Sequence, residues 1–338
     1  MKVYDKHSLN EYHQSLTYDD ISLIPTKISR IKSRKEVDTS SKFLGLKLLL
    51  PVISSPMESV TGIEMAIELH SLGCIGIVNR FDSSLTELLS NKNNIRKITA
   101  ISIALNTPLD SIKKLAEGRK IICIDTANAN NREVLKKTEL LKNNLDIKVI
   151  VGNIAHGASL KQLVDAGADG VRVGIGSGSV CSTSIQTGIG IGQVSSILDV
   201  YFAREEAKLK IAIIADGGIK GAGDVAKAIA LGADAVMLGR LLAGTRETPG
   251  EVIRYRDQLW KKYRGSASFG VKMKNEFIEG EETMVAYKGV VRNVINAVSD
   301  GLRSSMSYMN CRTIDDLRKT ESFAVLSNYS YLERLPKP

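Results

Sequence analysis

Asp165-Ala-Gly-Ala-Asp169-Gly-Val171 and its echo Ala230-Leu-Gly-Ala-Asp234-Ala-Val236 decide the fold. Each closes an amphipathic segment and opens an apolar run, with glycine where a helix end takes the left-handed backbone that other residues resist. The same alternation repeats outward from these joints. Apolar runs stand at Leu50–Ser54, Cys74–Val78, Ile98–Ala104, Lys120–Ile124, Ile147–Val151, Gly170–Val173, Ile211–Ala215 and Asp234–Leu238. Between them, Gly62–Leu72, Asn131–Asn144, Leu160–Ala166 and Ala222–Leu231 place apolar residues at three- and four-residue spacing, the mark of helices. Continuous apolar runs belong to strands buried on both faces, as in a parallel sheet. Eight βα units predict an α/β fold, a TIM (β/α)8 barrel forming a single domain over residues 1–338. A doubly wound sheet is the alternative. The number of runs counts against it, as does Gly174-x-Gly176-x-x-Ser179, which lacks the third glycine of a dinucleotide fingerprint.

A chain of 338 residues with 43% hydrophobic content can bury a large core, and only 5% aromatic residues means a core of Ile, Leu, Val and Ala. The net charge of +9 is spread among acidic residues without interleaved aromatics, so it reads as a solvated surface that favours small anions, not as a nucleic-acid face. Cys74, Cys123, Cys181 and Cys311 form no C-x-x-C pair, the pattern of reduced cytosolic thiols. Met1-Lys-Val-Tyr-Asp-Lys-His7 has no apolar core of a signal peptide, and no run approaches the roughly 18 apolar residues that span a bilayer. The expectation is a cytoplasmic protein with neither membrane nor nucleic acid as partner. His7, His13, His70 and His156 show no metal-ligand spacing, which counts against a metal hydrolase.

In a barrel of this kind, catalytic groups stand at the C-terminal ends of strands, and phosphate is held by the last loops. Gly174-Ile-Gly-Ser-Gly-Ser-Val-Cys-Ser-Thr183 follows the sixth run and displays Cys181 among glycines, where a thiolate can act as a covalent nucleophile. Asp216-Gly-Gly218 follows the seventh run and Gly239-Arg240 the eighth, two places where backbone amides can approach an oxyanion.

Together with Leu16-Thr-Tyr-Asp-Asp-Ile-Ser-Leu-Ile-Pro25, Thr187-Gly-Ile-Gly190, Tyr263-Arg-Gly265, Tyr287-Lys-Gly289 and Gly301-Leu-Arg-Ser-Ser305, these segments resemble the IMP dehydrogenase and GMP reductase family over nearly the whole chain. The resemblance implies a tetrameric TIM barrel acting at C2 of a purine nucleoside monophosphate. The short stretch between Val78 and Ile98 implies that the regulatory domains inserted in many IMP dehydrogenases are missing. Residues 263–290 correspond to the flap and active-site segment. That flap has no Arg-Tyr pair to activate water, and only thirteen residues separate Gly265 from Glu279, as in GMP reductases of Gram-positive bacteria. The implied reaction is reductive deamination of GMP to IMP and ammonia with NADPH.

Carried over residue by residue, the resemblance makes Cys181 the nucleophile and Thr183 with Glu279 the proton donors to departing ammonia. It assigns the ribose hydroxyls to Asp216, the 5′-phosphate to Ser179, Gly218, Gly239, Arg240 and Tyr263, and the purine edge to Ser266, Ala267 and Ser268. The nicotinamide side falls to Arg80, Asp125, Asn128, Asn153 and Gly176, and a potassium ion to the backbone carbonyls of Gly176, Gly178 and Cys181. The chain departs from the family pattern at Gly176-Ser-Gly178, where Gly-Pro-Gly is usual, at Ser184 and Arg240, and at Asn79-Arg80, where the family has a histidine before the base. These departures keep open a deoxy or modified purine substrate. Ser55-Pro-Met-Glu58 and Met306-Ser-Tyr-Met-Asn-Cys311 read more like IMP dehydrogenase, which would oxidise IMP with NAD. A nucleotide-binding protein without catalysis is the remaining alternative, and retention of Cys181, Thr183 and Glu279 counts against it.

Overall fold

The computed structural model describes residues 3–25, 28–81, 98–179, 183–265 and 282–333. Eight parallel strands close into a barrel in chain order: β1 (Val52–Ser54), β2 (Ile75–Val78), β3 (Ala100–Ile103), β4 (Ile121–Asp125), β5 (Lys148–Ile154), β6 (Gly170–Val173), β7 (Ala212–Asp216) and β8 (Ala235–Leu238), with β8 pairing back onto β1. Each of the eight apolar runs contributes one strand. On the outside lie α1 (Ile63–Ser71), α2 (Leu109–Ala116), α3 (Arg132–Asn144), α4 (Leu160–Asp165), α5 (Gln193–Glu206) and α6 (Ala222–Ala230), of which α1, α3, α4 and α6 fall on the four segments with helical spacing. The periodicity of 109–116 and 193–206 was not read from the sequence. A final helix, α7 (Val291–Tyr308), packs against α6.

The two echoing joints are structural repeats. Gly167 and Gly232 follow α4 and α6 with φ of +97° and +112°, the left-handed turn expected there. Asp169 accepts the Val149 N–H at 2.9 Å and Asp234 the Ile213 N–H at 2.8 Å, so each aspartate ties its joint to the foot of a barrel strand. A base from an outer helix then pairs with each: Lys142 with Asp169 at 3.0 Å, and Arg204 with Asp234 at 2.7 Å.

The lower barrel is sealed. A hairpin of Ser41–Phe43 and Leu46–Leu48 turns through Leu44 and Gly45 and inserts Phe43 and Leu48 beneath Ile53, Ile75, Ile77, Ile121, Ile150 and Ile214. A second, larger apolar shell lies between the barrel and the helices. At the other end, an antiparallel sheet of Ile253–Tyr255, Gln258–Arg264 and Glu282–Ala286 leans over the mouth and carries the two flanks of the 263–290 segment. Residues 266–281 of that segment lie outside the described residues. Among the described residues no helix is long and apolar enough to cross a membrane.

Candidate active site

At the C-terminal mouth the loops after β1, β6, β7 and β8 surround a cleft of about 320 Å³, large enough for a small-molecule ligand. Ser179, Asp216, Gly218, Gly239, Arg240 and Tyr263, all singled out from the sequence, line it. Tyr263 enters from the overlying sheet and is almost fully buried; Ser179 Oγ donates to its hydroxyl at 3.3 Å. Burial pushes the Tyr263 phenol up, only partly offset by that hydrogen bond, so it stays a neutral hydroxyl. The backbone N–H groups of Gly218, Gly239 and Arg240 donate to no carbonyl among the described residues. Three free amides, two hydroxyls and a guanidinium on one wall make an oxyanion cradle.

The sequence reading missed several lining residues. Ser55 and Met57 come from the loop after β1, and Lys220 and Lys288 add cations. Lys288 donates to the carbonyls of Arg240 at 2.9 Å and Leu241 at 3.1 Å, fastening the β8 loop to the overlying sheet. Burial, and then the charge of Arg240, lowers its pKa below the ordinary lysine value. Lys220 pairs with Asp19.

The largest omission is Arg172. It sits on β6 inside the barrel, buried, and bridges two carboxylates. Its Nη1 donates to Asp125 Oδ1 at 2.6 Å, and its Nη2 and Nε reach Asp216 Oδ2 at 2.8 and 3.1 Å. Burial alone would lower its pKa, but the charges of the neighbouring carboxylates, Asp216 before Asp125, outweigh burial and hold it well above the ordinary arginine value. Asn153 adds its amide, donating to Asp216 Oδ2 at 2.9 Å and to the Gly174 carbonyl at 2.7 Å. Arg80 Nε meets Asp125 Oδ2 at 3.1 Å. The structure therefore joins Arg80, Asp125, Asn153 and Asp216, named from the sequence, through a residue that was not. The available signal was a charged side chain in the middle of the apolar run Gly170-Val-Arg-Val173.

Asn128 stands exposed beyond Asp125, and its side-chain oxygen takes the Asn130 N–H at 3.0 Å. Asn79, at the family's histidine position, is buried; it donates to the Thr61 carbonyl at 2.9 Å and accepts the Phe81 N–H at 2.9 Å, which fixes the turn carrying Arg80. Gly176 packs against Ser184 and Gly190, and Ser177 Oγ donates to Gln193 at 2.8 Å, so this stretch is pinned despite lacking proline. Thr183 opens a short helix, Thr183–Thr187, at the far end of that loop. Cys181, Glu279, Ser266, Ala267 and Ser268 lie outside the described residues. Among the described residues no three His, Cys, Asp or Glu side chains cluster to hold a metal.

The IMP dehydrogenase / GMP reductase domain model matches residues 15–337. The inosine-5′-monophosphate dehydrogenase of Borreliella burgdorferi is 33% identical, over 96% of this chain and 96% of that protein. The GMP reductase of Bacillus subtilis is 34% identical, over 92% of this chain and 96% of the relative. The inosine-5′-monophosphate dehydrogenase of Cryptosporidium parvum is 32% identical, over 93% of this chain and 92% of its own length.

Proposed function

The chain belongs to the IMP dehydrogenase and GMP reductase family, and within that family of oxidoreductases we propose that it converts GMP to IMP and ammonia with NADPH. One observation carries the nucleotide part: the cleft sets an oxyanion cradle of Ser179, Gly218, Gly239, Arg240 and Tyr263 beside a carboxylate, Asp216. A 5′-phosphate fits the cradle. Ribose hydroxyls fit Asp216, since a carboxylate accepts from two donors at once. The purine then lies toward the Cys181 loop.

Choice of the reductase rests on the short flap without an Arg-Tyr pair. The Cys181 thiolate adds to purine C2. The exocyclic amine leaves from that carbon as ammonia, taking its proton through Thr183 and Glu279, and Ser266, Ala267 and Ser268 hold the purine edge. NADPH, when bound, supplies the hydride that C2 requires. The cysteine is released as C2 becomes a C–H carbon and IMP departs. Arg80, Asp125, Asn128, Asn153 and Gly176 form the cofactor side. Asp125 fits that role because a carboxylate keeps acceptor capacity beyond its bonds to Arg80 and Arg172, and Arg80 offers a cation for an anionic cofactor. We assign a potassium ion to the backbone carbonyls of Gly176, Gly178 and Cys181. We assign the active form as a cytoplasmic homotetramer.

Purified protein mixed with GMP and NADPH tests this reading, with loss of reduced-nicotinamide absorbance and release of ammonia as the readout. Cys181→Ala should lose at least about 1,000-fold in turnover while still binding GMP, as expected for a covalent nucleophile. NADH formation from IMP and NAD would instead make the protein an IMP dehydrogenase. Turnover that survives in Cys181→Ala would remove the covalent route altogether.

A further inference from the structure

Building on the nucleotide reading, we propose that Arg172 is a positioning residue that makes the site selective for ribonucleotides over 2′-deoxyribonucleotides, by locking the carboxylate of Asp216. Every hydrogen bond that the described residues give this carboxylate falls on Oδ2: two from Arg172 and one from Asn153. Oδ1 receives none from the described residues, and Asp216 lines the nucleotide cleft. A carboxylate with three donors on one oxygen cannot swing about its terminal bond, so it presents a fixed acceptor to the sugar. Arg172 is itself held from the far side by Asp125, which Arg80 braces in turn. Gly152 makes room for it; a Cβ there would lie 2.5 Å from Arg172 Cβ.

A fixed acceptor penalises a sugar that lacks the matching donor, because the buried polar group is left unpaired. A carboxylate free to turn can find another partner or water and loses the discrimination. Arg172 also supplies the positive charge between Asp125 and Asp216. Without it the two carboxylates repel, and one takes up a proton at a pH where a carboxylate is ordinarily ionised. Of the groups facing the pair, the thiol and the phenols stay protonated. Burial pushes the Cys123 thiol beneath them up to about 12, and burial raises the phenols of Tyr18 and Tyr263, which lie in the field of Asp216. Arg80 pairs with Asp125, and Arg240 and Lys288 line the cleft with Asp216.

Calorimetric binding of GMP and dGMP to the wild type, Arg172→Met and Arg172→Lys at pH 6, 7 and 8 tests the proposal. The wild type should prefer GMP by about 30-fold, the cost of one unpaired buried acceptor, with little pH dependence. In Arg172→Met the preference should fall to about 3-fold, and GMP affinity should rise with pH as the shared proton leaves. Arg172→Lys, which keeps the charge, should restore the flat pH profile. Retained preference with a flat profile in Arg172→Met overturns the proposal. Equal binding of GMP and dGMP by the wild type overturns it without any variant, even if Arg172→Met fails to fold. Failure of the wild type to bind GMP or IMP at all would instead remove the nucleotide reading and this inference with it.

Discussion

Strand β4 enters the barrel with Ile121 and Cys123 packed into the sealed lower half and leaves it with Asp125 at the mouth. Strand β7 repeats the pattern, with Ile214 below and Asp216 above. Two turns of the same alternation thus reach environments of opposite character. Below, the hairpin residues Phe43 and Leu48 close an apolar layer in which Ile53, Ile75, Ile77 and Ile150 are almost wholly out of water. Above, two carboxylates and two guanidiniums share a largely buried network. Burial of aliphatic surface stabilises the lower layer directly, at about 25 cal/mol per Å². The upper network is another matter: desolvating four charges costs several kcal/mol per ion, and their mutual attraction does little more than offset it. The lower barrel holds the fold, and the upper one is kept for what it binds.

The sharpest way to break that division is to mutate one residue from each level. Ile77→Ala should lower stability by about 3 kcal/mol, through lost burial and a residual cavity. Denaturant unfolding reads this directly, and GMP affinity measured on the folded fraction should be unchanged. Asp216→Asn should do the converse, weakening GMP by about 30-fold because a charged acceptor is replaced by a neutral one, with a smaller change in stability. A large affinity loss in Ile77→Ala would mean that the floor transmits strain to the mouth and that the two levels are one unit.

Gly152→Ala probes the boundary between them and should fall between these extremes. Its Cβ would lie 2.5 Å from Arg172 Cβ and 2.9 Å from Cδ, closer than packed atoms tolerate. Relief requires moving the arginine that bridges Asp125 and Asp216. The expected outcome is a stability loss of about 2 kcal/mol together with weakened GMP binding, since one clash disturbs both levels. Thermal unfolding and nucleotide titration on the same sample check it. A loss confined to stability would show that the Arg172 network tolerates displacement.

The lower level was the more legible in the sequence. A strand core needs only apolar residues in short runs, and a run such as Ile211-Ala-Ile-Ile-Ala215 says so without reference to any partner. The helix joints were legible for the same local reason, because Gly167 and Gly232 mark turns that the backbone must make. The mouth was legible in pieces. Asp216 and Gly239 stand out because they follow strands directly, and Asp125, Asn153 and Tyr263 came with the family resemblance. What joins them did not stand out. Arg172 lies on β6, yet its partners come from β4 and β7, and no spacing within the chain encodes that convergence. Asn79 read only as a departure from the family's histidine, whereas its side chain braces the turn that holds Arg80.

The foot of the barrel also carries charge, and there the expected effect is smallest. Burial alone would raise the Asp169 carboxyl, but hydrogen bonds from Lys148, the Val149 N–H and Lys142 outweigh it and hold the group below the usual carboxylate range. A carboxylate whose folded pKa lies below its unfolded value, about 3.9, stabilises the fold fully above that unfolded value. The contribution is lost as pH falls through the folded pKa and is absent below both. Asp169→Asn should therefore cost about 1 kcal/mol at pH 7, since the Val149 contact survives in weaker form and the two lysines lie near solvent. The gap from the wild type should narrow as the pH drops below about 4. Urea unfolding at pH 7 and pH 3.5 measures both points. A gap that stays constant across them would mean that Asp169 acts through its shape and its backbone hydrogen bond, and that its charge contributes nothing to stability.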